Sequence, residues 1–337
     1  MSSRSIFNSK PFFASAFSTL SLLSASINAQ NRTTQQGAQF ADSNQECVPY
    51  YYAPVSNALD NYPEIWEPAT IVASDSAAQA KYQSMIGQIP NIPPKGTQPA
   101  SITGDFSGYN YPDSDPDCWW TDTTCTTPKL AGLSPDVTSL PEPDTLGYAF
   151  DDGPNCSHNV FYDYLQENNQ KATMFYIGSN VMDWPLEAQR ALVDGHEVCV
   201  LTALTNEQVF AEFYYGRDLE AIKLVIGVTP TCWRPPYGDV DDRIRAFAKA
   251  FGLRTIVWQY DSNDWEEGTD GYTAADVDAN YEALIAKAKS GAFSTAGTTF
   301  LTHELNNFTM SEAIKFYDQL KSAFKSIVPV GVALGQT

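Results

Sequence analysis

Between residues 144 and 325 the chain alternates short apolar runs with longer segments whose apolar residues recur every three or four positions. Short runs rich in β-branched and aromatic residues predict strands, and the longer segments predict amphipathic helices. The predicted strands are at 145–150, 172–177, 197–200, 232–234, 255–260 and 298–302. The predicted helices are at 159–167, 186–194, 207–226, 241–251, 273–289 and 310–325.

This alternation indicates a parallel sheet, because a helix between two strands returns the chain to the side where the next strand begins. The number of strand-helix units favours closure into a barrel of parallel strands over an open sheet. In such a barrel the chemistry lies at the carboxyl ends of the strands. We therefore expect an α/β fold of this kind in a domain spanning 141–330.

Residues 30–140 have a different composition, rich in Pro, Gly, Ser, Thr, Asp and Asn. Such a stretch offers little periodic apolar surface to bury. We predict an irregular extension that precedes or wraps the domain and is pinned by Cys118 and Cys125.

The first residues have the layout of a secretory signal. Arg4 and Lys10 precede an apolar stretch from Pro11 to Leu23, and small residues then lead to Ala29. The stretch is too short to span a bilayer as a helix. We predict a signal peptide at 1–29, no transmembrane segment, and a secreted protein that is extracellular or in the cell wall.

Cysteines and glycosylation acceptors fit the same compartment. In a secreted chain the six cysteines predict disulfides, whose pairing the sequence leaves open. Asn31, Asn155 and Asn307 each begin an acceptor triplet for N-glycosylation.

Charge narrows the choice of partners. Forty acidic residues against 20 basic ones give a net charge of −20 and a pI near 4.3. That field repels nucleic acid and anionic membrane surfaces. We expect neither as a partner, and we expect a monomer.

Polar residues cluster where predicted strands end. The motifs are F-D-D-G-P at 150–154, R-P-P-Y-G at 234–238, D-S-N-D-W at 261–265 and L-T-H-E at 301–304. Adjacent acids at a strand end can divide their work, one ligating a cation and the other accepting a proton. Four such motifs in this order are far more specific than any one alone.

Over residues 144–330 this series resembles motifs one, three, four and five of carbohydrate esterase family four, the polysaccharide deacetylases. The flanking sequence is most like that of fungal chitin deacetylases. The resemblance implies a distorted (β/α) barrel and a divalent metal, usually zinc. It also implies hydrolysis of N-acetyl groups in chitin or a related acetylated polysaccharide at the cell wall.

The resemblance implies roles for the motif residues. Asp151 would be the general base, oriented by Arg234, and Asp152 would be a metal ligand. His303 would be the general acid, and Asp264 or, as a less favoured alternative, Asp261 would hold its other nitrogen.

Three further residues would contact the substrate. The backbone N–H of Tyr237 would stabilise the oxyanion, and Trp265 and Leu301 would line the slot for the acetyl methyl group. A packing role for Leu301 is an equal alternative. The Trp119-Trp120 pair is expected to pack onto the domain, with glycan contact as its alternative.

The chain departs from the family at motif two, His-Thr-x-x-His, which places two imidazoles on one face of a helix to complete the metal site. The preceding Gly195-His196 strand is present, but L-T-A-L-T-N-E follows Val200. The only histidines are His158, His196 and His303, and no two are four residues apart. We interpret this as a short deletion between Val200 and Leu201, which would leave Asp152 unable to hold zinc alone.

Three interpretations follow from the missing motif. In the first, the sequence lacks a segment that the natural protein has, and the protein is an ordinary deacetylase. In the second, the protein is a pseudoenzyme that binds glycan. The third interpretation is a metal site rebuilt from Asp151, Asp152 and Asp241.

Overall fold

The computed structural model describes residues 34–96, 106, 108–201, 205–215 and 220–336. The predicted signal peptide and the acceptor Asn31 lie outside these residues. None of the described helices is long and apolar enough to cross a bilayer.

Short strands, all but the first of them paired in parallel, form the centre of the molecule. In chain order they are β1 Ser139–Leu140, β2 Thr145–Gly147, β3 Ala149–Gly153, β4 Thr173–Tyr176, β5 Glu197–Leu201, β6 Cys232–Arg234, β7 Arg254–Thr255, β8 Tyr260–Asp261, β9 Gly297–Leu301 and β10 Ser326–Val328.

Two ladders of these strands join into a barrel. β3, β4, β5, β6 and β7 pair in parallel in that order, and β8 and β2 flank β9 in parallel in the second ladder. β10 lies beside β2, and β1 is antiparallel to β9. The ladders meet where Asp151 pairs in parallel with His303, next to a hydrogen bond of 2.9 Å from Asp151 N to Thr302 O. The predicted distorted (β/α) barrel is confirmed.

The strand predicted at 255–260 is two short strands. β7 pairs with β6, after which Val257 N donates to Val137 O, and β8 then pairs with β9. The prediction of one continuous strand was wrong because this segment changes its neighbour along its length.

Helices cover the barrel and precede it. They are α1 Thr34–Gly37, α2 Ser43–Glu46, α3 Ala53–Ala58, α4 Ser76–Ile86, α5 Trp120–Thr123, α6 Asn159–Glu167, α7 Gly178–Asp183, α8 Pro185–Val193, α9 Asn206–Tyr214, α10 Ala221–Ile226, α11 Asp242–Ala250, α12 Ala274–Lys289, α13 Asn307–Ala323 and α14 Val330–Ala333. The helix predicted at 207–226 corresponds to α9 and α10, and residues 216–219 between them lie outside the described residues. Thr205 and Gln208 begin α9 with a capping box, so its start is encoded locally.

All six cysteines are paired, which confirms the predicted disulfides. Cys47–Cys156 links the extension to the barrel, and Cys199–Cys232 links β5 to β6. Cys118–Cys125 closes a loop within the extension and makes no covalent link to the barrel. The predicted attachment through these two cysteines is therefore wrong, and Cys47 provides the covalent link instead.

A buried lysine joins the extension to the barrel. Lys95 Nζ lies 2.8 Å from Asp117 Oδ2 and 2.7 Å from Asp241 Oδ2, and all three side chains are largely buried. Asp241 also caps α11, accepting a hydrogen bond from Ile244 N at 2.9 Å. Because an isolated buried charge is strongly unfavourable, these groups stabilise the fold only as a set.

We therefore expect Lys95→Ala to lower the free energy of unfolding by about 3 to 5 kcal/mol, since it removes the buried cation that Asp117 and Asp241 share. Denaturant unfolding measures this change. The control is Lys325→Ala, which removes an ion pair to Glu142 from a side chain that is 70% exposed and should change stability by less than about 1 kcal/mol. Equal effects of the two variants would contradict the importance of the buried cluster.

Candidate active site

A buried acid and arginine lie together at the carboxyl ends of the barrel strands. Asp151 belongs to β3 and Arg234 ends β6, and Arg234 Nη1 donates to Asp151 Oδ1 at 2.6 Å. The guanidinium carbon is 4.2 Å from the centre of the Phe175 ring. The Asp151 carboxylate is thus held in one orientation by a charge-assisted hydrogen bond.

Burial tunes the acidity of this pair. It raises the pKa of Asp151 to about 6, although the positive charges of Arg234 and His303 oppose the shift. Burial likewise lowers the pKa of Arg234. A carboxyl group with a pKa near 6 is ionised at neutral pH and is a better base than an exposed aspartate.

An imidazole-carboxylate pair lies beside it. His303 Nδ1 is 2.5 Å from Asp264 Oδ1, and His303 N donates to Asp264 Oδ2 at 3.0 Å. Asp261, the less favoured alternative partner, instead accepts from Asn263 N at 2.8 Å. Burial alone would lower the pKa of His303, but the charge of Asp264, helped by Asp152 and Asp151, outweighs it and raises the pKa to about 10.

Backbone pairing places the two charged pairs side by side. Besides the bond from Asp151 N, Glu304 N donates to Asp151 O at 2.8 Å, so Asp151 and His303 face each other across the closing seam of the barrel. The arrangement brings a base with raised pKa next to a cationic acid, the two groups that acid-base hydrolysis requires.

Glu304 is a site residue to which the sequence analysis gave no role. It is fully buried; its Oε1 accepts from Asn155 N at 2.9 Å and lies 2.9 Å from His158 Nδ1, and its Oε2 accepts from Tyr162 Oη at 2.9 Å. A Cβ atom at Gly153 would lie 2.6 Å from Glu304 Oε2. Glu304 therefore ties the turn after β3 to the chain after β9. Its position directly after His303 in the motif was the available signal.

The three residues expected to contact substrate differ in exposure. Tyr237 is 59% exposed, Trp265 is 42% exposed, and Leu301 is 4% exposed at the end of β9. Although Tyr237 is open to solvent, packing around its ring and the charge of Asp152 raise its pKa to about 12. Tyr237 thus lies on the side of the site that carries Asp152.

Asp152 shows an unusual backbone conformation. Its φ of 68° lies in the left-handed region, and its carbonyl oxygen accepts from Asn180 Nδ2 at 2.8 Å. Burial raises the pKa of its carboxyl group. Strained residues held by such contacts are found where side chains must point into a site.

The residues around Asp152 do not fit a three-ligand zinc site. His196 precedes β5, at the opposite end of the strand, and its Nδ1 accepts from Ala172 N at 3.1 Å. Among the described residues, the groups of three close enough to share an ion are Asp115, Cys118 and Cys125, and Glu197, Cys199 and Cys232. All four cysteines are in disulfides. Residues 202–204, outside the described part, are Thr, Ala and Leu, which are not zinc ligands.

Asp241, considered above for a rebuilt metal site, is engaged elsewhere. Its carboxylate binds Lys95 and caps α11, and it forms no ligand group with Asp151 and Asp152 among the described residues. The rebuilt site therefore has no support from the geometry.

Comparisons with known proteins agree with this architecture. Residues 140–256 match the polysaccharide deacetylase family. The chain is 52% identical over 308 residues to chitin deacetylase 2 of Cryptococcus neoformans var. grubii, covering 88% of this chain and 66% of that protein. It is 45% identical over 303 residues to a chitin deacetylase of Amylomyces rouxii, covering 86% and 70%.

The fold is also similar to a solved structure. The chitin deacetylase of Colletotrichum lindemuthianum superposes with a TM-score of 0.53 at 23% identity, over 61% of this chain and 94% of that one. The chain belongs to the polysaccharide deacetylase family. Within that family it is similar to fungal chitin deacetylases, and it spans about two thirds of the length of the relatives it matches.

The contrast between two histidines can be measured directly. Burial is the main cause that lowers the pKa of His196 to about 3, while Asp264 holds His303 protonated up to about pH 10. Nitrogen-15 NMR of histidine-labelled protein should therefore show His303 cationic and His196 neutral at pH 7.

The control for this measurement is Asp264→Asn, which should lower the pKa of His303.

The raised pKa of His303 also contributes to the free energy of unfolding. This contribution is fully present below the pKa of the unfolded state, 6.5, and is lost as the pH rises through about 10. A neutral His303 at pH 7 would contradict the assigned pair.

Proposed function

We propose that this protein acts on chitin-type polymers and that its reaction is hydrolysis of the N-acetyl groups of N-acetylglucosamine units. The observation that carries the proposal is the juxtaposition of the Asp151–Arg234 and His303–Asp264 pairs at the carboxyl end of the barrel. The 52% identity to a chitin deacetylase supports the choice of substrate.

We further infer a secreted protein of the cell wall, with residues 141–330 as the deacetylase domain and 30–140 as its extension. Three disulfides support an oxidising compartment. The linkage of Cys47 to Cys156 supports an extension that stays attached to the domain.

In this proposal each residue handles one event of amide hydrolysis. Ionised Asp151 takes a proton from the attacking water, and Arg234 keeps the carboxylate facing it. Cationic His303 gives its proton to the nitrogen as the C–N bond breaks, leaving acetate and a free amine. The Tyr237 N–H stabilises the oxyanion, while Trp265 and Leu301 border the acetyl group.

The family's metal would lower the pKa of the attacking water. Because the residues present here offer Asp152 alone, we derive no step through that ion. The same observation favours a second function, glycan binding without hydrolysis. The chain has three histidines, and no two are spaced to bind one ion from one helix.

Metal analysis with an acetate-release assay on a chitin tetramer separates these functions. The chain as written should bind zinc below one equivalent and release acetate slowly. Inserting a His-Thr-x-x-His segment after Val200 should bring zinc to one equivalent and raise the rate by about a thousandfold, since a bound metal is worth several kcal/mol to the transition state.

The matched control adds Asp151→Asn to the repaired chain, which should keep the zinc and lose the activity. If the chain without the inserted segment releases acetate as fast as the chain with it, the inference that this chain lacks a three-ligand zinc site is wrong. If both chains bind the tetramer and neither releases acetate, the binding function holds. Failure of both to bind the tetramer overturns both functions.

A further inference from the structure

A loop of the extension covers the turn that carries Tyr237. Cys118–Cys125 closes this loop, and its Trp120 packs directly on Gly238: a Cβ atom there would lie 2.1 Å from Trp120 Cζ3. Trp120 N donates to Val240 O at 3.0 Å, and its ring is 4.7 Å from the ring of Trp258. The close approach leaves room only for glycine under the indole.

Residues on both sides of Trp120 are tied to the same segment. Trp119 Nε1 donates to Asp239 Oδ1 at 2.6 Å, and Thr121 Oγ1 donates to the same oxygen at 2.8 Å. Asp242 N donates to Asp117 O at 2.9 Å. Trp120 is therefore held at its position over Gly238 by its neighbours as well as by its own packing.

A buried arginine fixes the two ends of the loop. Arg245 Nη1 donates to Cys118 O at 2.6 Å, and Arg245 Nη2 donates to Cys125 O at 3.0 Å. Asp136 binds the same guanidinium through both carboxylate oxygens, at 2.8 and 2.6 Å. Together with the disulfide, these hydrogen bonds fix both ends of the loop to α11.

The turn beneath the loop has a backbone that an ordinary residue avoids. Tyr237 has φ 56° and ψ 13°, in the left-handed region, and Gly238 follows with φ 70°. A left-handed residue that is not glycine persists when its surroundings enforce it. The Tyr237 side chain is 59% exposed, whereas the next residue, Gly238, is covered closely by Trp120 of the loop.

We propose that the loop at 117–125 is a positioning element of the glycan site, and that Trp120 is the positioning residue that holds the Tyr237 turn in its ligand-facing conformation. Trp120 acts through Gly238 and does not itself contact the reacting amide. The proposal rests on the proposed function for its ligand, an N-acetylglucosamine oligomer. It applies to hydrolysis and to binding alone, because both need Tyr237 in place.

The test compares Trp120→Ala with Trp120→Phe in the full chain. Titration calorimetry with a chitin tetramer, well below each melting temperature, should show affinity about tenfold weaker for Trp120→Ala, as expected for loss of one well-placed hydrogen bond. Trp120→Phe should recover most of the affinity, because a ring again covers Gly238.

Tyr82→Ala is the matched control. Tyr82 also lies in the extension and packs its ring on the barrel, 5.1 Å from Phe210 of α9, away from the Tyr237 turn. The Tyr82→Ala variant should have a lower melting temperature and an unchanged affinity for the chitin tetramer. A purely structural role for Trp120 predicts the same behaviour for Trp120→Ala.

Two glycines give a second, independent measurement. Gly238→Ala introduces a collision with Trp120, whereas Gly252, with φ 73°, has nothing within 4 Å of an added Cβ. Gly238→Ala should therefore lower the melting temperature more than Gly252→Ala and weaken binding. Adding Trp120→Ala to Gly238→Ala should recover part of the thermal loss but not the affinity.

The outcomes separate the proposal from the function on which it rests. If the unaltered protein does not bind the tetramer, the proposed function fails and the positioning role fails with it. If the protein binds and Trp120→Ala binds equally well, the positioning role alone is overturned. Equal losses for Gly238→Ala and Gly252→Ala would overturn the claim that Trp120 shapes the turn.

Discussion

The site depends on the closure of the barrel between β3 and the chain that leaves β9. Asp151 and His303 are 152 residues apart in sequence by their numbers, yet parallel backbone pairing makes them neighbours. Each brings a partner, Arg234 or Asp264, and all four residues are at most 7% exposed. Buried charges are tolerated only when paired, so closure and charge pairing support each other.

The two charged pairs draw on several strand exits. They use the exits of β3, β6 and β9 with the turn after β8. β5 contributes no residue to either pair, and its last residue, Leu201, pairs with Arg234 of β6. A change in the chain that follows β5 therefore leaves both charged pairs in place.

Sequence predicted the elements whose signals are local. The helix at 159–167 and the strand at 232–234 were predicted with the bounds that the structure has, because apolar spacing and turn residues mark their ends. The division of 255–260 was not predictable, since it depends on pairing with distant Val137 and with β9. The position of Glu304 after His303 marked it as part of the motif, but only the fold shows its role as a buried carboxylate that holds two turns together. The helix α4 was missed because it buries only Ala78 and Met85 and so shows little apolar pattern.

The part of the extension from Lys95 to Leu130 makes several polar contacts to the segment that follows the Tyr237 turn. Lys95 binds Asp241, Asp242 accepts from Lys129 N and Leu130 N, and the loop with Trp120 binds Asp239. These residues are consecutive in the chain or nearly so, and they directly precede or begin α11. A flexible attachment would not need several buried charges aimed at one short segment. These contacts make the extension part of the support of the Tyr237 turn. The backbone conformation of Tyr237 therefore depends on residues that are distant in sequence from the four motifs by which the family is recognised.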